Sequence, residues 1–294
     1  MLTKEFCVQP SFKKIRFTLF TTRFNNKEKY KMIFKQLFEP DSCTFTYLLG
    51  CEETGESLLI DPVIDTVERD LEVLKSLQLK PTYTLETHVH ADHLTGARKM
   101  KAMASTQIVV PTMDNLPCAD LGVEEGKVFQ VGSLKLHPLF TPGHTSTHHA
   151  YLIEDGAHTL LFSGDALLIE ACGRTDFQSG DAATLYKSIH NKLFSLPNET
   201  LVYPGHDYEG RHITTILQEK QRNPRLGNDK SEQEFIDIMN GLDLPYPRKI
   251  DFAVPGNTLC GKCPDSVPEE YRGPCDIKSV PIKSDIQAKS GDQG

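Results

Sequence analysis

The run of apolar segments predicts an α/β layered domain, with sheets covered by helices. Two observations predict it. Strand-like and helix-like stretches alternate in both halves of the chain, and four of the strands end on polar clusters: "THVHADH" at 87–93, "TPGHT" at 141–145, "SGD" at 163–165 and "PGHDY" at 204–208. Metal-ligand residue types gathered at strand ends along one sheet edge are a recurrent way to build a site. The bulk numbers agree: 294 residues, 38% hydrophobic and 24% charged, are enough for a large core. No apolar run approaches the roughly 18 residues that a membrane span needs. A net charge of −8 argues against non-specific nucleic-acid binding.

In chain order, "IFKQLF" and "CTFTYLL" read as strands by alternation and β-branched or aromatic content, and "SLLIDP" as a third that Pro62 stops. A helix follows, with Asp65 as expected N-cap and Glu68 three residues on. Its stripe of Val67, Leu71, Leu74 and Leu77 has helical spacing and reads as core. "PTYTLET" is a strand ending on the first histidine cluster, and "LTGARKMKAMA" is a helix. "TQIVVP", "LKLHPLF", "HAYLIE" and "HTLLFSGD" are short strands. A helix begins at Asp181 with Leu185, Ile189 and Leu193 inward; "TLVYPGH" is a strand, and residues 212–240 read as mostly helical.

Residues 1–31 carry eight Lys/Arg against two acids, so the remainder is at −14. A basic, acid-poor start without a long apolar stretch reads as a mitochondrial transit peptide, which predicts the mitochondrial matrix. Met32 could start a shorter cytosolic form. Residues 32–255 form the catalytic domain in this reading. From 256 to 294 Pro, Ser, Lys, Asp and Gly dominate, which predicts a flexible tail. The eight cysteines are scattered and suggest reduced thiols; the "CGKC" of Cys260 and Cys263, with Cys275 nearby, reads as loose tail thiols.

"THVHADH" is the strongest signal. On a strand His88 and His90 share a face, and Asp92 and His93 follow at the turn into a helix. His144 sits in a Pro-Gly turn, while Asp165 and His206 each follow a Gly at the end of an apolar strand. Burying so many imidazoles and carboxylates without compensation costs several kcal/mol, which a bound metal offsets. His137, His158, His190 and His212 are isolated and read as structural.

These residues, as His88-Val-His90-Ala-Asp92-His93, Gly143-His144, Gly164-Asp165 and Gly205-His206, resemble the metallo-β-lactamase superfamily. The resemblance implies an αββα sandwich of two mixed sheets flanked by helices, with the metal site at one edge. Within it, "LFEPDSCTFTYLLG", "THVHADHLTG", "SGDALLI", "CGRTDF", "YPGHDY", "NPRL" and "IDFAVPGN" resemble the persulfide dioxygenases, over about residues 33–260.

That family resemblance implies one Fe(II) per chain, held by His88, His144 and Asp165, with glutathione persulfide and O2 as substrates. Sulfite and glutathione are the implied products, in hydrogen sulfide catabolism. Two histidines and a carboxylate on one face form the facial triad of non-haem iron oxygenases, which leaves positions open for sulfur and oxygen. His90, Asp92, His93, His206 and Asp207 would support the ligands, and Arg174 and Tyr208 would contact substrate. Family members are often dimers, so a homodimer is expected. The alternative is a two-metal thioester hydrolase of the glyoxalase II type, in which His88, His90 and His144 bind one ion and Asp92, His93 and His206 the other, with Asp165 bridging. Where the family usually has Gly the chain has Thr147, followed by His148 and His149. These put the geometry beside the site in question.

Overall fold

The computed structural model describes residues 32–156 and 158–275. Two six-stranded sheets stack face to face. The first contains β1 (Met32–Glu39), β2 (Thr44–Cys51), β3 (Glu56–Ile60), β4 (Lys80–Leu85), β5 (Gln107–Pro111) and β6 (Leu121–Val123), in that spatial order. The second contains β7 (Phe129–Val131), β8 (Leu134–Phe140), β9 (His149–Asp155), β10 (His158–Gly164), β11 (Leu201–Pro204) and β12 (Thr214–Thr215), also side by side in sequence order. Both sheets are mixed: β3 to β6 pair in parallel, β10 pairs in parallel with β11, and the other pairings are antiparallel.

Strand alternation splits the burial between two layers. Phe45, Tyr47 and Leu49 of β2 face Tyr151, Phe162 and Tyr203 of the opposite sheet, while Leu48 and Leu59 face outward onto α1 (Val67–Ser76) and α2 (Ala97–Ala104) through Val67, Leu74 and Met100. The second sheet is covered by α3 (Ala182–Ser188), α4 (Ile216–Arg222) and α5 (Glu232–Asn240), with Leu185, Ile189 and Leu193 fully buried. The expected αββα sandwich is the observed fold.

Several boundaries differ from expectation. Thr66, not Asp65, stands at the N-cap of α1, because Ile64–Thr66 first makes a 3₁₀ turn. The stretch 212–240 is two capped helices, preceded by β12. β6, β7 and β12 were not foreseen; two or three residues are too few to show a period.

The expected tail beginning at 256 is a correction. α6 (Ile250–Asn257) runs across that boundary. Beyond it Val267 packs with Ile64, Leu94, Phe252 and Ala253. Disulfides join Cys118 to Cys260 and Cys263 to Cys275, so these thiols are not loose; Cys51 and Cys172 are free and buried. Cys118 and Cys260 lie 142 residues apart, and such a pairing cannot be read from spacing. The targeting reading of 1–31, and residues 276–294, lie outside the described residues. Among the described residues no helix is long and apolar enough to cross a membrane.

Candidate metal centre

The four polar clusters meet where the two sheets are stitched together. Thr44, at the start of β2, bridges to His206 just after β11, and the Phe45 N–H donates to the Gly205 carbonyl at 2.8 Å. Glycines make the convergence sterically feasible. Gly143 has φ +131°, and a Cβ there would strike the Leu185 backbone at 2.3 Å. Gly164 has φ +51°, and a Cβ would meet His148 Nε2 at 2.5 Å.

One donor atom each from His88, His144 and Asp165 lies within 4.8 Å of the other two, a spacing that one small cation can gather. Their other polar atoms are committed elsewhere. Thr87 Oγ1 donates to Asp61 Oδ2 at 2.8 Å, so it accepts from His88 Nδ1–H at 2.9 Å, and the His88 Nε2 lone pair is left to face the site. His144 Nδ1–H donates to the Arg174 carbonyl at 2.7 Å, leaving its Nε2 lone pair 3.6 Å from Asp165 Oδ2. Asp165 Oδ1 accepts from His206 Nδ1–H at 2.6 Å. Burial holds His88 far below the usual histidine range, helped by His90 and His144, so it is neutral and can ligate. Burial alone would raise Asp165, but His206 beside it pulls the carboxyl well below its ordinary value. A neutral His88 and an ionised Asp165, with the His144 Nε2 beside them, are the donor chemistry of a divalent-cation site.

His90, Asp92 and His93 make a second close group, and here the surroundings differ. Burial would lower His90, but Asp61 overrides it and raises His90 well above the normal range. Its Nε2–H lies 3.1 Å from Asp61 Oδ1 and 3.4 Å from Glu86 Oε2, and its buried Nδ1 has no hydrogen-bond partner. His206 behaves alike: burial opposes its charge, but Asp165 and Asp92 raise it, and its Nε2–H donates to Asp92 Oδ2 at 2.9 Å. Both ring nitrogens of His206 are therefore occupied by carboxylates. His93 Nδ1–H donates to Asp92 Oδ2 at 2.8 Å, and its buried Nε2 is unpartnered.

Asp207 is turned elsewhere. Its carboxylate takes Arg211 Nε–H at 2.9 Å and the backbone N–H groups of Glu209 and Arg211, pinning the 207–211 loop. Arg174 forks onto Asp176 at 2.6 and 2.7 Å and donates to the Pro245 carbonyl at 2.8 Å. Tyr208 is 60% exposed, with its ring parallel to that of His206. Arg174 and Tyr208, together with His144 and Asp165, border one open cleft of about 510 Å³.

Several contributors are not among the residues that the sequence singled out. Asp61, with φ +50°, accepts Thr87 N–H at 2.7 Å as well as His90; its place just before Pro62 at a strand end was the available signal. Asn257 accepts Thr95 N–H at 2.9 Å and donates to the carbonyls of His90 and His93 at 2.9 and 2.8 Å. His148 accepts the Asp165 N–H through Nε2 at 3.1 Å, so it orients a ligand's backbone. Thr147 avoids positive φ and donates its hydroxyl to Asp114, so the missing Gly strains nothing.

Burial pushes Asp114 up to about 6, against roughly 3.9 for a free Asp. A raised folded-state value gives stability that is full below the unfolded pKa and lost as pH rises through the folded one. Asp114→Asn is therefore expected to raise Tm by more at pH 7.5 than at pH 4. Equal changes at the two pH values, in thermal melts, would contradict it.

Residues 43–206 match the Metallo-beta-lactamase superfamily. The mitochondrial persulfide dioxygenase ETHE1 of Homo sapiens is 46% identical over 231 residues, covering 78% of this chain and 89% of that protein. The crystal structure of ETHE1 from Myxococcus xanthus superposes with a TM-score of 0.75 at 48% identity, covering 78% of this chain and all of that one. A hydroxyacylglutathione hydrolase of a Polaromonas species is more distant, 35% identical over 61% of this chain and 68% of its own length.

Proposed function

As this chain belongs to the metallo-beta-lactamase superfamily, and within it to the persulfide dioxygenases, we propose that it oxidises glutathione persulfide with O2 and water to sulfite and glutathione at one Fe(II). His88, His144 and Asp165 would hold the iron. The observation that carries this reading is their two-His, one-carboxylate grouping, of which His144 and Asp165 border the 510 Å³ cleft and His88 lies buried behind them. When bound, ferrous iron supplies the electron-transfer chemistry and the open positions that a persulfide anion and O2 require.

The chain's own residues do the rest. Thr87 and the Arg174 carbonyl fix the two ligand imidazoles by their Nδ1–H groups. His206 holds Asp165 by one oxygen and so presents the other. His90 is held through Nε2 by Asp61 and Glu86, and its buried Nδ1 has no partner among the described residues; it would support the loop that carries the ligand His88. Asp92 and His93 complete the support, and Asp207 shapes the adjoining loop. Arg174 and Tyr208 would contact substrate as walls of the cleft. Because Asp176 offsets the Arg174 charge, its part is shape and hydrogen bonding more than net attraction.

A single ion rests on membership of the persulfide dioxygenase family. His206, whose ring nitrogens lie 2.6 Å from Asp165 and 2.9 Å from Asp92, would on this reading orient Asp165 instead of binding a second cation. The hydrolase reading keeps one observation in its favour, the unpartnered inward atoms His90 Nδ1 and His93 Nε2. The test is oxygen uptake and sulfite formation by anaerobically iron-loaded protein given glutathione persulfide, beside hydrolysis of a glutathione thioester by zinc-loaded protein. Sulfite with oxygen uptake is expected; thioester hydrolysis without either would replace the reading. The mitochondrial relatives support a matrix location and give no support to a cytosolic form starting at Met32. The homodimer expected from the family is part of this proposal, with sedimentation as its check.

A further inference from the structure

Glu39 ends β1, and its carboxylate is buried. Its oxygens accept the Asp41 N–H at 2.8 Å, the Ser42 N–H at 2.8 Å and the Ser42 hydroxyl at 2.6 Å. A carboxylate only accepts, so Ser42 spends its one hydroxyl proton on Glu39 and is left an acceptor. Thr44 Oγ1 lies 2.7 Å from Ser42 Oγ and must then be the donor between them. Asp92 Oδ2 also lies near Thr44 Oγ1, at 3.2 Å, and the single proton goes to the nearer oxygen. The Thr44 oxygen is left with lone pairs alone toward the site, where His206 Nε2 stands 3.0 Å away and His93 Nδ1 3.4 Å.

The chain therefore runs one way, from the His206 N–H through Thr44 and Ser42 to Glu39. The far side of the His206 ring holds a proposed metal ligand, Asp165 Oδ1, at 2.6 Å. The backbone keeps the same register: Thr44 bridges to His206, and the Phe45 N–H donates to the Gly205 carbonyl at 2.8 Å. Thr44 is fully buried and β-branched, so its hydroxyl has few rotamers and no solvent to turn to.

We propose that Glu39, Ser42 and Thr44 are positioning residues, a one-way hydroxyl chain that fixes the His206 ring and, through it, the oxygen that Asp165 presents to the metal. The inference rests on the metal site proposed at His88, His144 and Asp165 for what is positioned, and on the hydrogen-bond geometry for how. The same bonds brace the turn between β1 and β2, and the test separates the two roles.

Co(II) is the probe, because its visible absorption follows ligand geometry. Metal-free full-length protein is titrated with Co(II) without oxygen, and thermal melts are recorded beside it. Ser42→Ala deletes the middle hydroxyl and keeps the backbone N–H on Glu39; Thr44→Val keeps shape without the hydroxyl; Thr44→Ser keeps the hydroxyl. Ser42→Ala and Thr44→Val are each expected to weaken Co(II) binding roughly tenfold and to shift its absorption bands. The double variant is expected to be no weaker than Thr44→Val alone, because a chain broken once is already broken. Thr44→Ser recovers most of the affinity. In turnover at saturating iron, kcat for glutathione persulfide falls in Ser42→Ala by a similar factor, with KM unchanged. Parental Co(II) affinity and spectrum in Ser42→Ala, even with a lower melting temperature, overturns the proposal and leaves a turn brace; so do single effects that simply add in the double variant. Should Thr44→Val not fold, Ser42→Ala beside Thr44→Ser decides. Weakened Co(II) binding in variants of a protein that oxidises no persulfide keeps the chain assigned and removes the dioxygenase reading instead.

Discussion

Asp165→Asn protein is expected to fold, to lose its iron on desalting, and to form sulfite roughly 10³-fold more slowly than the parent, given the several kcal/mol that a positioned metal contributes. Asn keeps the shape of Asp but not its charge. The change removes the one anionic member of the His88–His144–Asp165 face, and it also removes the carboxylate that holds His206 Nδ1–H at 2.6 Å. His206 would then keep only Asp92 and lose part of its reason to stay protonated. Iron per chain after desalting, sulfite rate and far-ultraviolet circular dichroism separate loss of metal from loss of fold. Retained iron with retained rate would remove Asp165 from the ligand set.

Asn257→Leu is expected to give the second large effect, from the C-terminal side of the molecule. Asn257 is 3% exposed, and its amide serves Thr95 N–H and the carbonyls of His90 and His93 together. Leucine fills the space and strands three buried backbone groups at about 1–3 kcal/mol each. Against a total stability of roughly 5–15 kcal/mol that is a large fraction. The loop it releases carries His90, Asp92 and His93, so metal affinity should fall by about 10–100-fold, as for other groups that support ligands indirectly. Asn257→Asp should resemble Leu, because its second oxygen would face the two carbonyls. Denaturant unfolding and iron titration read the two effects separately, and a variant with parental values in both would contradict this role for the segment after residue 250.

Those two residues mark what was and was not readable in advance. Asp165 ends an apolar strand after a Gly, and its place in the ligand set follows from a local pattern. The histidines of 88–93 are equally local, since alternation on a strand and a turn into a helix aim them. Asn257 carries no such sign. It lies in a segment whose Pro, Ser, Lys and Gly content predicted a tail, and its contacts cross more than 160 residues. Composition reports on periodic burial, and this segment is held by Val267, Phe252 and two disulfides instead of by an amphipathic stripe.

The pairing of charges was also hidden. His88 and His90 are two residues apart and look equivalent in the sequence. Burial beside other imidazoles makes one neutral, and burial beside Asp61 and Glu86 makes the other cationic. Nothing local to "THVHADH" distinguishes them, because Asp61 arrives from the end of β3. His148 is similar: its place beside the site put the local geometry in question, and its ring meets Thr141 and the Asp165 backbone.

The most direct test of the account is a titration of metal-free protein with Fe(II) under anaerobic conditions, with oxygen uptake and sulfite formation from glutathione persulfide measured at each step. Activity should rise linearly and level off at one iron per chain. A rise that continues to two irons per chain, or full occupancy with no sulfite, would contradict a single-iron site built from His88, His144 and Asp165.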